Sequence, residues 1–270
     1  LGDTDSAVST SAIHAPSSAA AHVARGLALP ALLVLGWVAV SASGIGNPQI
    51  FVPLSSVADA AIETTRDGSL PAAVAATLLR ALTGFAIGGT LGFAAGLLLG
   101  LSSGTRSVFS PTFNALNQIA LFAWIPLLGA WLGTGEEMKV TLIALGAFFP
   151  VLLNTEAGCR KVPVPYLEVS RLLELDRRTE IRRIVLPAAA PAIVGGLEIA
   201  LASAWLGTIG AEYLIGTGYV NGRGDGLGVL LAASRELGRM DIVIVGIVAL
   251  ALTGLALDRI TVRLSRKLLA

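Results

Sequence analysis

Residues 160–187 read RKVPVPYLEVSRLLELDRRTEIRRIVLP, and this stretch decides how the rest of the chain is read. Eleven of the 37 charged residues lie between Arg160 and Arg183, with long apolar runs on both sides. A chain immersed in lipid confines its charge to segments that reach water. The overall composition agrees. Of 270 residues, 54% are hydrophobic and 14% charged, against about 25% charged in a soluble domain. Strand-like alternation is absent, which argues against a β-barrel. The net charge of +1 gives no footprint for nucleic acid. The single cysteine, Cys159, leaves no intrachain disulfide and no cysteine-built metal cluster. His14 and His22 lie in a low-complexity head, so no histidine-built metal site is expected.

Outward from the island, the apolar runs predict an all-α, polytopic membrane protein of about six spans. They fall near Leu27–Ala42, Ala72–Leu101, Phe109–Gly133, Met138–Gly158, Ala188–Tyr213 and Asp241–Arg259. Residues 1–24, rich in Ser, Ala and Thr, are read as a disordered cytoplasmic tail, and 25–270 as the transmembrane domain. The first run has a rival reading as a signal peptide, since Arg25 precedes it and Val40-Ser41-Ala42 suits cleavage; a retained span is preferred. With six spans, one side of the membrane collects thirteen basic residues and the other six. The positive-inside rule then places the island and both termini in the cytoplasm of a bacterial cell. The Gly44–Pro71 and Ile215–Met240 regions face outward, the first with a short helix on the membrane surface.

The second run carries a four-residue glycine ladder, Gly84, Gly88, Gly92, Gly96 and Gly100. That spacing makes one slowly winding stripe on a helix, suited to close approach by another helix. Within the island, Val164–Glu174 and Asp176–Arg183 read as two short helices, Asp176 capping the second. Pro187 starts the next span.

On these residues a family resemblance appears. Glu168-Val169-Ser170, Ile184 and Leu186-Pro187 resemble the EAA loop of ATP-binding-cassette importer permeases. Leu79–Phe85, Ile125–Leu128, Ala144–Pro150, Ala204-Trp205 and Ala211-Glu212 are similar to the nitrate/sulfonate/taurine branch. The resemblance covers approximately residues 27–268. It departs at Glu174, where the family has a glycine. Glutamate adopts a left-handed turn only at a cost, so the turn is expected to shift to Leu175-Asp176 or the helices to be joined differently. Ser170 stands for a second alanine, and Glu198 occupies a usually basic position.

What the resemblance implies is a permease subunit of an importer. Its loop at 160–187 would dock on a cytosolic ATPase through Glu168, Val169, Ser170, Arg171, Leu172, Glu174, Leu175, Asp176, Arg177, Ile184, Leu186 and Pro187. The implied partners are two such ATPases, a second copy of this chain and an extracytoplasmic binding protein. ATP and Mg would sit on the ATPase. The chain itself has no Gly-x-x-x-x-Gly-Lys-Ser/Thr pattern and no catalytic residue is assigned. The branch serves sulfonates, taurine, nitrate, bicarbonate and other small organic compounds; an aliphatic sulfonate such as taurine is the leading expectation.

Polar residues inside spans mark candidate pathway positions. Asn114, Asn117 and Gln118 share a helix face, Trp124 and Trp205 either narrow a passage or fill space, and Glu198 falls near mid-membrane. A structural pairing of Glu198 with another span is favoured over a role in the path, because a carboxylate hinders an anion. Arg80 and Glu212 sit near the outer boundary, as an outer latch or as interfacial snorkelling side chains. An ion-coupled secondary transporter is the rival class; it predicts inverted repeats with matching broken spans, which the chain lacks.

Overall fold

The structure is a computed structural model and describes residues 51–216 and 225–269, with residues 29, 32, 34–41 and 43 of the first apolar run. The tail at 1–24 and the reading of Leu27–Ala42 as a span or a signal peptide therefore lie outside the described residues. The chain divides into two compact units, residues 1–54 and 55–270. In the first, residues 34–41 are helical, and the Trp37 indole donates to the Val52 carbonyl at 3.1 Å.

The second unit is helical, with no strand among the described residues. Helix α1 (Leu54–Arg66) is the short helix expected between Gly44 and Pro71. It stops at Asp67-Gly68, where Gly68 takes a φ of 80° that a side chain would resist. The Asp67 carboxylate accepts the Ser69 N–H at 2.8 Å, starting α2 (Ser69–Leu101). That bond holds the Asp67 carboxyl below its ordinary value. Ser102 caps α3 (Ser103–Asn117) by accepting the Thr105 N–H at 3.3 Å.

The third apolar run is not one straight span. After α3 the chain breaks, makes a 3-10 turn at Leu121–Trp124 and continues as α4 (Ile125–Leu132), bent by 99° from α3. The physical reason lies in the tip of this elbow. Leu121 packs against Gly146 and Gly207, and Phe122 against Gly210, so neighbouring helices receive the bend in glycine notches. Then come α5 (Glu136–Arg160) and α6 (Val164–Leu172).

The second island helix predicted at Asp176–Arg183 is also different. Asp176 does cap it, accepting the Thr179 N–H at 3.2 Å. But α7 (Arg177–Glu180) runs through a π turn, Ile181–Val185, directly into α8 (Leu186–Ile215). The wide turn precedes Pro187, whose ring would otherwise press on the carbonyl four residues back. Arg177–Ile215 is thus one continuous 39-residue helix. Within the Ile215–Met240 region, where no helix was expected, a ten-residue helix α9 (Leu227–Glu236) forms, and α10 (Met240–Leu269) follows. Among the described residues, four helices are long and apolar enough to cross a bilayer, and a fifth crossing exists if the elbow counts as one.

Helix α5 sits between α2 and α8. The whole glycine ladder of α2 faces it: a Cβ at Gly96 or Gly100 would lie 2.6 Å from the Leu152 carbonyl or the Cys159 Cβ. At Gly84, Gly88 and Gly92 it would run into Ile143, Ala144 and Phe148. In lipid there is no hydrophobic gain from joining apolar helices, so such close contact supplies the attraction. The pairing runs parallel, Gly84 by Ile143 through Gly100 by Cys159. Helix α8 crosses antiparallel, Gly158 meeting Ala189 and Ala192, and Gly196 meeting Asn154. Ile143, Ala147, Val151, Ala200 and Ala204 form the dry centre. The bundle therefore has a loop end, with Leu101, Arg160 and Arg177, and a far end, with Ser69, Glu136 and Ile215.

Candidate functional site

At the far end, α2 turns Thr77, Arg80 and Gly84 to one face. The Arg80 guanidinium binds Glu136 of α5 as a fork, Nε to Oε2 at 2.6 Å and Nη2 to Oε1 at 2.9 Å. Its Nη1 binds Glu212 of α8. Glu212 is fully buried, and its other oxygen accepts the Thr77 hydroxyl at 2.9 Å and the Gly228 N–H at 2.9 Å. The Leu227 N–H donates to Thr77 Oγ1 at 2.7 Å. Lys139, only 1% exposed, reaches Glu136 Oε1 at 3.2 Å. Two cations and two anions on three helices thus meet here, and α9 joins them through its backbone N–H groups. Glu212 and Thr77 together satisfy the first free N–H groups of α9, a cap supplied by other helices.

Arg80 and Glu212 are therefore paired, and the snorkelling alternative does not hold for Glu212, which has no path to water. Sequence reading missed Glu136, Lys139, Thr77 and Gly228. Thr77 and Arg80 three apart in an apolar helix were the available signal; the partners on α5 and α9 had none. Exchanging Arg80 and Glu212 is not a symmetric swap here, because Thr77 and Gly228 donate to Glu212 and an arginine at 212 offers them no acceptor.

At the loop end, α6 leaves Tyr166, Val169 and Leu172 exposed, Leu172 by 82%, and Leu173 in the turn after it is exposed too. Glu168 is exposed beside them, as are Asp176 and Arg177; the Arg171 side chain lies outside the described residues. Ser170 faces inward instead. Its hydroxyl donates to the Leu167 carbonyl at 2.8 Å with Glu180 Oε1 at 3.2 Å. Arg177 reaches Glu180 at 2.9 Å and the Leu101 carbonyl at 2.9 Å, so it ties the knob to the free C-terminal carbonyls of α2. Ile184 packs on the cluster of Cys159, Val162, Val185 and Ala189. Leu186 is partly buried, Leu175 likewise, and Pro187 is exposed on the helix surface. The Asp176 carboxyl is held below its ordinary value by the hydrogen bonds from Thr179.

The turn after α6 does not shift to Leu175-Asp176. Glu174 itself takes the left-handed conformation, with φ of 46°. The Leu175 N–H bonds the Ser170 carbonyl at 3.0 Å and the Leu173 N–H the Val169 carbonyl at 3.0 Å, a left-handed helix stop with glutamate where glycine would relax it. The strain is about 1–2 kcal/mol.

The candidate pathway residues do not converge. Asn117, Gln118 and Trp124 line a cavity of ≈ 410 Å³ between the elbow, α5 and α8, together with Ser203. Glu198 and Trp205 line another, of ≈ 370 Å³, between α8 and α10, with Asp258. Asn114 lines neither; its amide donates to Ser110 carbonyl at 2.8 Å. The favoured pairing of Glu198 with a polar group is not met: among the described residues it makes no ion pair or hydrogen bond. Glu198 and Asp258 approach because α10 runs antiparallel to α8, which also brings Gly254 against the Trp205 indole.

Comparison with known proteins agrees with this geometry. Residues 88–270 match the family of binding-protein-dependent transport system inner membrane components. The putative aliphatic sulfonates transport permease protein SsuC of Bacillus subtilis is 33% identical over 245 residues, covering 91% of this chain and 86% of its own length. The nitrate import permease protein NrtB of Synechocystis is 30% identical over 193 residues, 72% of this chain and 68% of that one. A chain in an inward-facing structure of the MetNI methionine ABC transporter superposes with a TM-score of 0.54 at 20% identity, over 70% of this chain and 93% of that one, and so shares the fold. With an EAA-like loop between two membrane helices and this match over most of its length, the chain belongs to the binding-protein-dependent inner membrane components and is an ABC importer permease of the nitrate/sulfonate/taurine family.

Proposed function

We propose that this chain forms one half of the membrane passage of an importer for a small anion, an aliphatic sulfonate such as taurine. ATP hydrolysis on a separate cytosolic ATPase drives it through the 160–187 loop. The observation that carries this reading is the exposed apolar face of α6, with Leu172 82% exposed beside charged Glu168 and Asp176. A solvated connector has no use for four large apolar side chains in water. The Tyr166, Val169, Leu172 and Leu173 face is the docking surface, and Arg177, Ser170 and Ile184 hold it to the bundle. Because α7 continues into α8, a push on the knob is delivered to a single helix reaching the far end. The ATPase must bind the two positions of the knob with different affinity, since equal binding drives nothing. A second copy of the chain, two ATPases and an extracytoplasmic binding protein complete the assembly, with the loop and both termini in the cytoplasm. The sulfonate is favoured over nitrate by the broader likeness to the relative named for aliphatic sulfonates.

The test is co-purification from the native membrane in gentle detergent with nucleotide, followed by intact mass. Two copies of the chain with two ATPase subunits are expected. Leu172→Asp is expected to abolish ATPase recovery while leaving thermal unfolding of the chain within about 0.5 kcal/mol of wild type, as for other surface changes. Wild-type chain recovered without any ATPase overturns the docking reading and returns the ion-coupled carrier.

A further inference from the structure

One stripe of α10 changes character along its length. Val248, Leu252 and Ala256, then Arg259, Arg263 and Arg266, follow one another at steps of four, four, three, four and three residues, so all six share one helix face. All six are exposed. The other side of the helix is turned to the protein. Leu250, Gly254, Leu257 and Thr261 face α8 across the cavity that Glu198 and Trp205 also line. Beyond them Ser265 is buried, its hydroxyl donating to the Thr261 carbonyl at 2.9 Å. Helix α10 is thus held on the protein into its last turns, and the arginine stripe faces away from it.

The length of α10 says what the stripe meets. Its 30 residues make about 45 Å, against a hydrocarbon core of about 30 Å. Arg259 lies about 28 Å from Met240 at 1.5 Å per residue. The change from apolar to basic therefore falls where acyl chains give way to headgroups. A bias of charge toward one side of the membrane accounts for cations at this end, but not for their place on the face that continues the lipid-exposed stripe. No acidic residue follows Asp258, and Asp258 lines the cavity on the protein side. Among the described residues Arg259, Arg263, Arg266 and Lys267 make no ion pair and no hydrogen bond, whereas Arg177 at the same end is bonded to Glu180. Like charges three and four residues apart repel, so this helix end gains from an anionic surface laid along it. The guanidinium fork matches a phosphate better than a lysine ammonium does.

We infer that Arg259, Arg263 and Arg266 seat the phosphate headgroup of an anionic phospholipid, whose acyl chains lie along Val248, Leu252 and Ala256. Lys267, beside the stripe, adds to the attraction. The seat is on a different helix from the apolar face of α6, and it stands whether or not an ATPase docks there. It fixes the end of α10 to the leaflet at the loop end of the bundle.

The test uses the full chain, purified from its native membrane in non-ionic detergent with the partners that accompany it. Dioleoylphosphatidylglycerol and dioleoylphosphatidylcholine are titrated in, and bound lipid is counted by native mass spectrometry. Wild type is expected to bind phosphatidylglycerol about tenfold more tightly, and the combined Arg259→Gln, Arg263→Gln and Arg266→Gln variant to bring the two lipids within about twofold. The control is Arg178→Gln, Arg182→Gln and Arg183→Gln together, which removes the same charge from exposed positions at the same end but off α10; it is expected to keep the preference. If the triple variant on α10 does not fold, Arg263→Gln alone decides, with an expected loss of about fivefold. Wild type without a preference overturns the inference, and so does an α10 variant that keeps it. A control that loses as much as the α10 variant also overturns it, since net charge alone then accounts for the binding. An α10 variant that keeps its lipid but sheds a protein partner overturns it in favour of a protein contact on this face.

Discussion

The two ends of α8 handle charge in opposite ways. At the far end Glu212 is fully buried and its carboxylate is bonded by Arg80, Thr77 and Gly228. At the loop end Glu168, Asp176 and Arg177 are exposed, and what needs an explanation is the apolar face of α6 beside them. The far end pairs its buried charges within the chain; the loop end leaves Tyr166, Val169, Leu172 and Leu173 uncovered. A network closed on itself keeps its helices together as one body, while an exposed apolar face with its own anchor invites a partner. On the proposed function the loop end is the handle and the far end answers it as a unit. The continuous helix Arg177–Ile215 connects them.

The largest expected effect comes from opening the closed end. Glu212→Ala removes the acceptor of the Arg80 Nη1, of the Thr77 hydroxyl and of the Gly228 N–H of α9, a loss of about 3–5 kcal/mol for one partner of a buried pair. A lower unfolding temperature of the purified complex measures it. Exchanging Arg80 and Glu212 is expected not to rescue it, because an arginine at 212 has no acceptor to offer Gly228. Full rescue by the exchange would show that only the ion pair matters and that the cap on α9 does not.

A smaller effect tests whether the seam between the ends is as tight as its geometry. Gly88→Ala drives a methyl into the Ala144 carbonyl and is expected to cost about 1–3 kcal/mol, the range for overpacking. Gly89→Ala, whose added carbon would meet only a Leu197 methyl at 3.9 Å, is expected to be near neutral by the same melting measurement. Equal effects at the two positions would mean that α2 and α5 lie further apart.

The smallest effect is at the handle. Glu174→Gly removes the left-handed strain and is expected to slow amide exchange at Leu173 and Leu175, by up to about 1 kcal/mol of opening free energy. Faster exchange there would mean the carboxylate at 174 contributes more than its backbone strain costs.

Much of this was legible in residue order. The island of charge marked the aqueous loop, the ladder from Gly84 to Gly100 announced a close helix contact, and Asp176 declared its cap. These are local: periodicity and capping depend on neighbours a few residues away. The break after Asn117 was only half legible: Pro126 marks the start of the helix beyond it, but no proline or glycine falls between Asn117 and Trp124; the bend exists because Gly146, Gly207 and Gly210, far along the chain, make room for Leu121 and Phe122. Helix α9 was missed for a like reason, since its first N–H groups are capped by Glu212 and Thr77 rather than by residues before it.

The sequence by itself settled a helical membrane chain, the family its loop resembles, and the pairing of Arg80 with Glu212 as one of two readings. Only the tertiary structure decided which polar residues share a space, that Glu136 and Lys139 join Arg80 and Glu212, and that the second island helix is the start of α8. Periodicity fixes which side of a helix is apolar in any surroundings. Which helix meets that side, and at what register, is set by backbone contacts between segments distant in the chain, and those contacts place the side chains that function requires.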